Sequence, residues 1–221
     1  GQGEGRREGE TAEERHAEER QHEVGGPRWC GAGGTPSGGP MRHQVMARQI
    51  HRIDRLVRDI AELNRIESGE LVLERKPVDL QEIVSEVYNE LADRHPGTTR
   101  ILVKGTRAVV SADPVRVHQI VANLVDNALK HGGSEVVVET GRDEEDCVVR
   151  VFDNGEGIPP GEVDRIFNRF YRVDRSRSQD VPGLGLGLAI VKHLALLHAG
   201  SIRAWNRPEG GAAFELRLPA A

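Results

Sequence analysis

Cysteine is nearly absent from this chain of 221 residues, which carries only Cys30 and Cys147. That excludes a disulfide framework and a cysteine-built zinc site, and it fits a reducing, cytoplasmic setting. No stretch approaches the roughly eighteen consecutive apolar residues of a membrane span, and no apolar segment follows a basic N-terminus as a secretory signal would. Any membrane association is therefore expected only through segments that this chain does not contain. A basic block is missing too. With 35 acidic against 30 basic side chains and a net charge of −5, neither nucleic acid nor anionic lipid is the expected partner. Aromatic residues make up only 4%.

What is present divides unevenly. Residues 1–40 hold 11 of the 26 glycines but only Ala12, Ala17, Val24, Trp29, Cys30 and Ala32 as apolar members. Such a segment buries too little surface to offset the entropy of ordering it, and it is read as a low-complexity, disordered tail. From Met41 the pattern becomes helical. Val45, Met46, Ile50, Ile53, Val57, Ile60 and Leu63 recur every three or four residues and form one stripe, fit either for a partner helix or for the chain's own domain. Ser68-Gly69 ends it. Residues 71–73 read as a short strand, and Asp79 caps a helix that runs through Ala92.

Short strands are expected at 101–103 and 108–111. Asp113-Pro114 is a strong helix start, an N-cap carboxylate before a proline in the first turn, and that helix runs to His131 before Gly132-Gly133. Residues 135–140 and 147–152 read as a β-hairpin. Residues 162–170 read as a helix anchored by Phe167 and Phe170, and 184–199 as a helix closed by Gly200. A last hairpin joins 201–206 to 213–218 across Pro208-Glu209-Gly210-Gly211. This mixture suggests an α+β fold, a two-layer sandwich.

Several short patterns carry chemistry. On the helix from residue 114, Val117, Ile120, Val121, Leu124, Val125, Ala128 and Leu129 share one arc, while Arg116, Gln119, Asn123, Asn127 and Lys130 share another. Asparagine is a poor mid-helix residue. Two of them at i and i+4 supply neutral oxygen for Mg²⁺, or else form a solvated helix face. Asp153-Asn154-Gly155-Glu156-Gly157 sits at a strand end, where a carboxylate can accept from an exocyclic amine such as that of adenine; an ordinary Asn-Gly turn is the alternative. Gly183-Leu184-Gly185-Leu186-Gly187 opens a helix whose N-terminal N–H groups suit phosphate, unless the glycines form a hinge. It is neither a Walker loop nor a dinucleotide fingerprint. Arg169 and Arg172 accompany Phe167 and Phe170, and guanidinium suits phosphate oxygens. The histidines show no metal-ligand spacing.

Taken in order, Asn123-Leu-Val-Asp-Asn127-Ala-Leu-Lys130-His131, Asp153-x-Gly155-x-Gly157, Phe167-x-x-Phe170 and Gly183-x-Gly185-Leu-Gly187-Leu resemble the N, G1, F and G2 boxes of sensor histidine kinases. The resemblance covers about 150 residues, from Leu71 onward. It implies a Bergerat-type ATP-binding fold, with a mixed sheet covered on one face by helices and ATP–Mg²⁺ beneath a lid at 171–182. By that resemblance Asn127 is the Mg²⁺ ligand and Asp153 the adenine reader. Asn123, Gly155 and Gly157 also join the nucleotide site, with Gly183, Gly185 and Gly187 in the phosphate-binding lid. Lys130, Arg169 and Arg172 are the implied phosphate contacts.

Residues 41–69 resemble the second helix of the dimerisation and phosphoacceptor hairpin, leaving 70–221 as the ATP-binding catalytic domain. No string resembling the first helix and its histidine occurs. The expected activity is transfer of the ATP γ-phosphoryl group to a histidine of a hairpin supplied in trans, with a response regulator as downstream partner. A non-catalytic nucleotide-binding regulator that pairs with a partner kinase is the alternative. Gyrase-, Hsp90- and MutL-type ATPases carry a glutamate four residues before the metal asparagine. Here that position is Asn123, which suits holding ATP for an incoming nucleophile better than rapid hydrolysis.

Overall fold

The computed structural model describes residues 40–94, 99–173 and 184–221. The expected tail at 1–40 falls outside these residues except for Pro40, as does most of the expected lid together with Gly183. The chain runs α1 (Pro40–Glu67), β1 (Lys76–Asp79), α2 (Leu80–Arg94), β2 (Arg100–Gly105), β3 (Val109–Ala112), α3 (Pro114–His131), β4 (Glu135–Asp143), β5 (Asp146–Asp153), α4 (Gly187–Leu197), β6 (Ser201–Asn206) and β7 (Ala212–Pro219).

Five strands form one mixed sheet in the order β2-β4-β5-β7-β6. Only β2 and β4 are parallel; the other pairs are antiparallel. The β-branched runs of β4 and β5 alternate, so Val136, Val138, Cys147, Val149 and Val151 face one side with Phe214, Leu216 and Leu218 of β7. Against them pack Ile83, Val84 and Val87 of α2, Val117, Ile120, Val121 and Leu124 of α3, and Ile190 and Leu194 of α4, all buried in one core. The result is the two-layer α+β sandwich expected from the pattern. A separate antiparallel pair, β1 with β3, closes one end.

The opposite face of the sheet is closed by charge. Register places Lys104, Glu139, Arg150, Glu215 and Arg203 in one row across all five strands, with alternating sign. Glu215 is fully buried beneath this layer. It accepts from Arg150 Nε at 2.5 Å, Arg217 Nε at 2.6 Å and Arg203 Nε at 2.7 Å. Burial by itself would raise its pKa, but the three guanidiniums outweigh that and hold the carboxyl below the usual range.

The stripe on α1 changes partners along its length. Ile50, Ile53, Val57 and Ile60 remain exposed, whereas Leu63 and Ile66 are buried in the common core. Charged groups reinforce the second contact, with Glu62 meeting Arg116 and Gln119 of α3.

Two expected elements differ. Residues 71–73 form no strand, because the N–H groups of Glu70 and Leu71 both turn back to the Arg65 carbonyl; the strand that pairs with β3 is Lys76–Asp79 instead. Residues 162–170 form successive turns rather than an α-helix. Phe170 adopts a left-handed φ of 58°, and its N–H goes to the Gly185 carbonyl at 3.0 Å. Ile166 and Phe167 are buried, while Phe170 is 60% exposed, so it is not the second anchor that its spacing suggested.

Candidate functional site

α3 builds the floor of the site. Asp113 Oδ1 accepts from the N–H groups of Val115 and Arg116, at 3.0 and 3.2 Å, and Pro114 fills the first turn. The helix is thereby held at its N-terminus while its apolar arc is buried. Asn123 and Asn127 lie at the border of that arc, both half-buried. Neither side-chain amide hydrogen-bonds to any described residue. Half-buried carboxamides with uncommitted oxygens are available to a ligand.

Lys130 pairs with Asp126 one turn back on the same helix. His131 follows, and its imidazole is held below its ordinary pKa, first by the surrounding protein and then by Lys130 and Arg172, with Asp153 and Asp126 pulling the other way. These five charged or titratable groups therefore share one electrostatic neighbourhood.

Asp153 ends β5 and is only 5% exposed. Its Oδ1 accepts two backbone N–H groups, from Gly155 and from Ala212, each at 3.0 Å. No described residue hydrogen-bonds to Oδ2. One oxygen thus fixes the carboxylate and the other remains an open acceptor at the edge of the core. Asn154 ties the same loop to the end of α3, because its Oδ1 accepts from Ser134 N at 3.0 Å and Glu135 N at 2.9 Å.

The glycines separate into two kinds. A Cβ at Gly155 would lie 2.3 Å from the His131 carbonyl oxygen. At Gly157, where φ is +77°, it would lie 2.8 Å from Asn206 Oδ1, and at Gly185, with φ of +71°, 2.3 Å from the Tyr171 carbonyl. The chain's own packing requires glycine at all three positions. Gly187 differs, since among the described residues a Cβ there would meet only the Asn123 side chain outside its own helix, at an ordinary 3.5 Å from Oδ1. Gly187 begins α4, whose N-cap position, Leu186, provides no side-chain hydrogen bond. An uncapped N-terminus beside Asn123 leaves N–H donors and the positive end of the helix dipole directed at the site.

The two arginines expected near phosphate sit differently. Arg169 pairs with Glu67 at the end of α1, whereas Arg172 lies beside Phe170, Tyr171 and Val173 around a cavity of about 420 Å³. Among the described residues no cluster of three or more His, Cys, Asp or Glu side chains could hold a metal. The spacing of the sequence did not reveal Ala212, Asn206 and Arg207. Arg207 Nη1 donates to the Asp153 carbonyl at 3.0 Å. The signal available for them is Gly211, where a Cβ would lie 2.0 Å from the Asp153 carbonyl oxygen.

The site thus joins an anchored carboxylate at a strand end, paired asparagines on the neighbouring helix and a helix N-terminus whose N-cap residue makes no side-chain hydrogen bond, all on the helical side of a mixed sheet. Residues 112–221 match the family model of histidine kinase-, DNA gyrase B- and HSP90-like ATPases. The chain is 38% identical over 177 residues to the signal transduction histidine-protein kinase AfsQ2 of Streptomyces coelicolor, covering 80% of this chain and 32% of that protein. To the sensor-like histidine kinase SenX3 of Mycolicibacterium smegmatis it is 32% identical over 188 residues, covering 80% and 47% respectively. Among solved structures, a mycobacterial sensor histidine kinase, MprB, superposes with a TM-score of 0.58 at 31% identity, covering 66% of this chain and 97% of that one. Full-length ShkA in complex with AMPPNP gives 0.71 at 27% identity, covering 83% and 39%. The chain belongs to this family and contains the ATP-binding domain of a sensor histidine kinase. It spans about a third of the length of AfsQ2 and just under half of SenX3.

Proposed function

We propose that this chain binds ATP with Mg²⁺ and presents the γ-phosphoryl group to a histidine of a phosphoacceptor hairpin supplied in trans, from which a cytoplasmic response regulator receives it. The observation that carries this reading is the anchored Asp153. With Oδ1 held by Gly155 and Ala212, Oδ2 is the acceptor for the adenine amine. Asn127 supplies the metal's protein oxygen, and the α4 N-terminus with Gly185 and Gly187 meets the phosphates. Asn123, Gly155 and Gly157 shape the cavity between them, and Lys130, Arg169, Arg172 and Gly183 belong to its phosphate end. Arg169 would have to leave Glu67 to take part.

The residues fit the metal. A single neutral oxygen is a weak ligand by itself, which suits Mg²⁺, an ion that keeps several waters and is bound chiefly through substrate phosphates. When bound it would neutralise phosphate charge. Position 123 supports transfer over hydrolysis. An asparagine there cannot take a proton from water, and a neutral imidazole nucleophile needs no base to expose its lone pair.

Residues 41–69 are read as the second hairpin helix and 70–221 as the catalytic domain. The exposed Ile50, Ile53, Val57 and Ile60 support the hairpin assignment. No described helix is long and apolar enough to cross a membrane. Calorimetric titration with ATP, with and without Mg²⁺, tests the site: Asn127→Ala should abolish the metal dependence while leaving the melting temperature nearly unchanged. Labelled ATP, with and without a separate phosphoacceptor hairpin, tests the transfer. Acid-labile label only in the mixture supports it, and binding without transfer points to a regulator.

A further inference from the structure

The loop between Asp153 and Ile158 is held at both ends by one hairpin. At its start, Ala212 N donates to Asp153 Oδ1 and Arg207 to the Asp153 carbonyl, each at 3.0 Å. At its far end, Asn206 Oδ1 accepts from Ile158 N while Asn206 Nδ2 donates to the Ile158 carbonyl, both at 2.7 Å. Ile158 is buried, with 8% of its surface exposed. The Asn206 side-chain amide thus satisfies both backbone groups of a buried residue, as a neighbouring strand would. Gly157 packs against the same Oδ1, closely enough to exclude any Cβ.

Resting on the nucleotide-site reading above, we infer that Asn206 is a positioning residue for base recognition: through Ile158 and Gly157 it fixes the loop in the shape that receives adenine. Asn206 itself touches no nucleotide in this scheme. It stands at the last position of the edge strand β6, 48 residues from Ile158 in sequence. Its contribution is pre-organisation, since a loop already fixed loses less entropy when ligand binds.

The amide's two faces give the test its discrimination. Asn206→Asp keeps the acceptor for Ile158 N–H but sets an oxygen against the Ile158 carbonyl. When ionised, that oxygen repels the carbonyl; when protonated, it donates and restores the original pair. The facing Ile158 carbonyl favours the protonated form, while the Ile158 N–H and the adjacent Arg207 favour the ionised one. Relative to the unaltered protein at the same pH, ATP affinity of Asn206→Asp should fall about tenfold near pH 8, the cost of roughly one good hydrogen bond, and recover progressively as pH is lowered toward the carboxyl range. Asn206→Leu, which makes neither bond, should lose affinity across the same range without recovery. A purely structural role would lower the melting temperature without this pH-dependent recovery of affinity.

Hydrogen exchange at the Ile158 amide supplies a readout that needs no nucleotide. It should be slow in the unaltered protein and at least about tenfold faster in Asn206→Leu, as local opening becomes easier. Equal exchange rates, or equal ATP affinities in the three proteins, would overturn the inference. An unaltered protein that binds no ATP yet still shows the difference in exchange would instead remove the nucleotide-site reading and leave the clamp as a structural device.

Discussion

The backbone N–H of Asp113 donates to Nε2 of His198 at 3.1 Å, and His198 Nδ1 lies 2.8 Å from the Leu194 carbonyl. The bonds require the neutral ring with its proton on Nδ1. One imidazole therefore joins the capped start of α3 to the end of α4. Burial holds its pKa below the ordinary value, and Arg75 adds to this, against opposing pulls from the Leu194 carbonyl and Asp113. Because the folded-state pKa lies below the unfolded value of about 6.5, the unfolded chain takes up this proton first. The stabilisation is complete above that pH and declines as pH falls through it. Urea unfolding should show this slope, and His198→Leu should lose it along with roughly 1–3 kcal/mol at neutral pH, the cost of an unpaired buried N–H.

Glu215 governs a lower pH range. Its carboxyl is depressed by Arg217, Arg150 and Arg203, so its contribution is present above the ordinary carboxyl value of about 4.3 and disappears as pH falls through the lower folded value. Glu215→Leu should cost about 1–3 kcal/mol in chemical denaturation, because three partly solvated guanidiniums lose their common partner while Arg150 and Arg217 keep Asp143. It should leave ATP affinity of the folded protein unchanged, since Glu215 faces the side of the sheet away from the helices.

Gly185 and Gly187 should respond in opposite ways to alanine. Gly185→Ala forces a Cβ onto the Tyr171 carbonyl at a positive φ and should destabilise by roughly 1–3 kcal/mol. Gly187→Ala has room and favours the helix, so its melting temperature should hold or rise. Its ATP affinity should nevertheless fall, because the added methyl would lie against Asn123 where the phosphates are proposed to bind. Thermal melts and ATP titrations on the same samples separate the two effects.

Asp153→Asn changes only the open atom if the amide keeps its oxygen at the Oδ1 position, where two N–H donors require an acceptor. Stability should then change little. The amide NH₂ would replace Oδ2 as a donor facing the base, lowering ATP affinity by about tenfold and narrowing the preference for ATP over GTP. Competition titration with the two nucleotides checks this.

Local chemistry made much of the molecule legible from sequence. Asp113-Pro114 and the period of Val117 through Leu129 set α3 because capping and helical amphipathicity act within a few residues. The alternation of β-branched residues set β4 and β5 for the same reason, and four short boxes in fixed order carried the family. The segment 162–170 departs from the expected helix because its turns close through local bonds such as Arg165 N–H to the Glu162 carbonyl and Asn168 N–H to the Arg165 carbonyl, and Phe170 N–H goes to the distant Gly185 carbonyl, while the spacing of Phe167 and Phe170 matches a helix turn.

Tertiary structure decided which partner each polar group meets. Asp153 depends on Ala212, Ile158 on Asn206, and Glu215 on Arg150 and Arg203, pairs brought together by strand order and register. A glycine in the sequence likewise signals only that backbone freedom or space is used. Whether a Cβ would collide with the chain, as at Gly155, Gly157 and Gly185, or meet a neighbouring side chain at ordinary contact distance, as at Gly187, depends on atoms that are distant in sequence and fixed only when the sheet and helices pack.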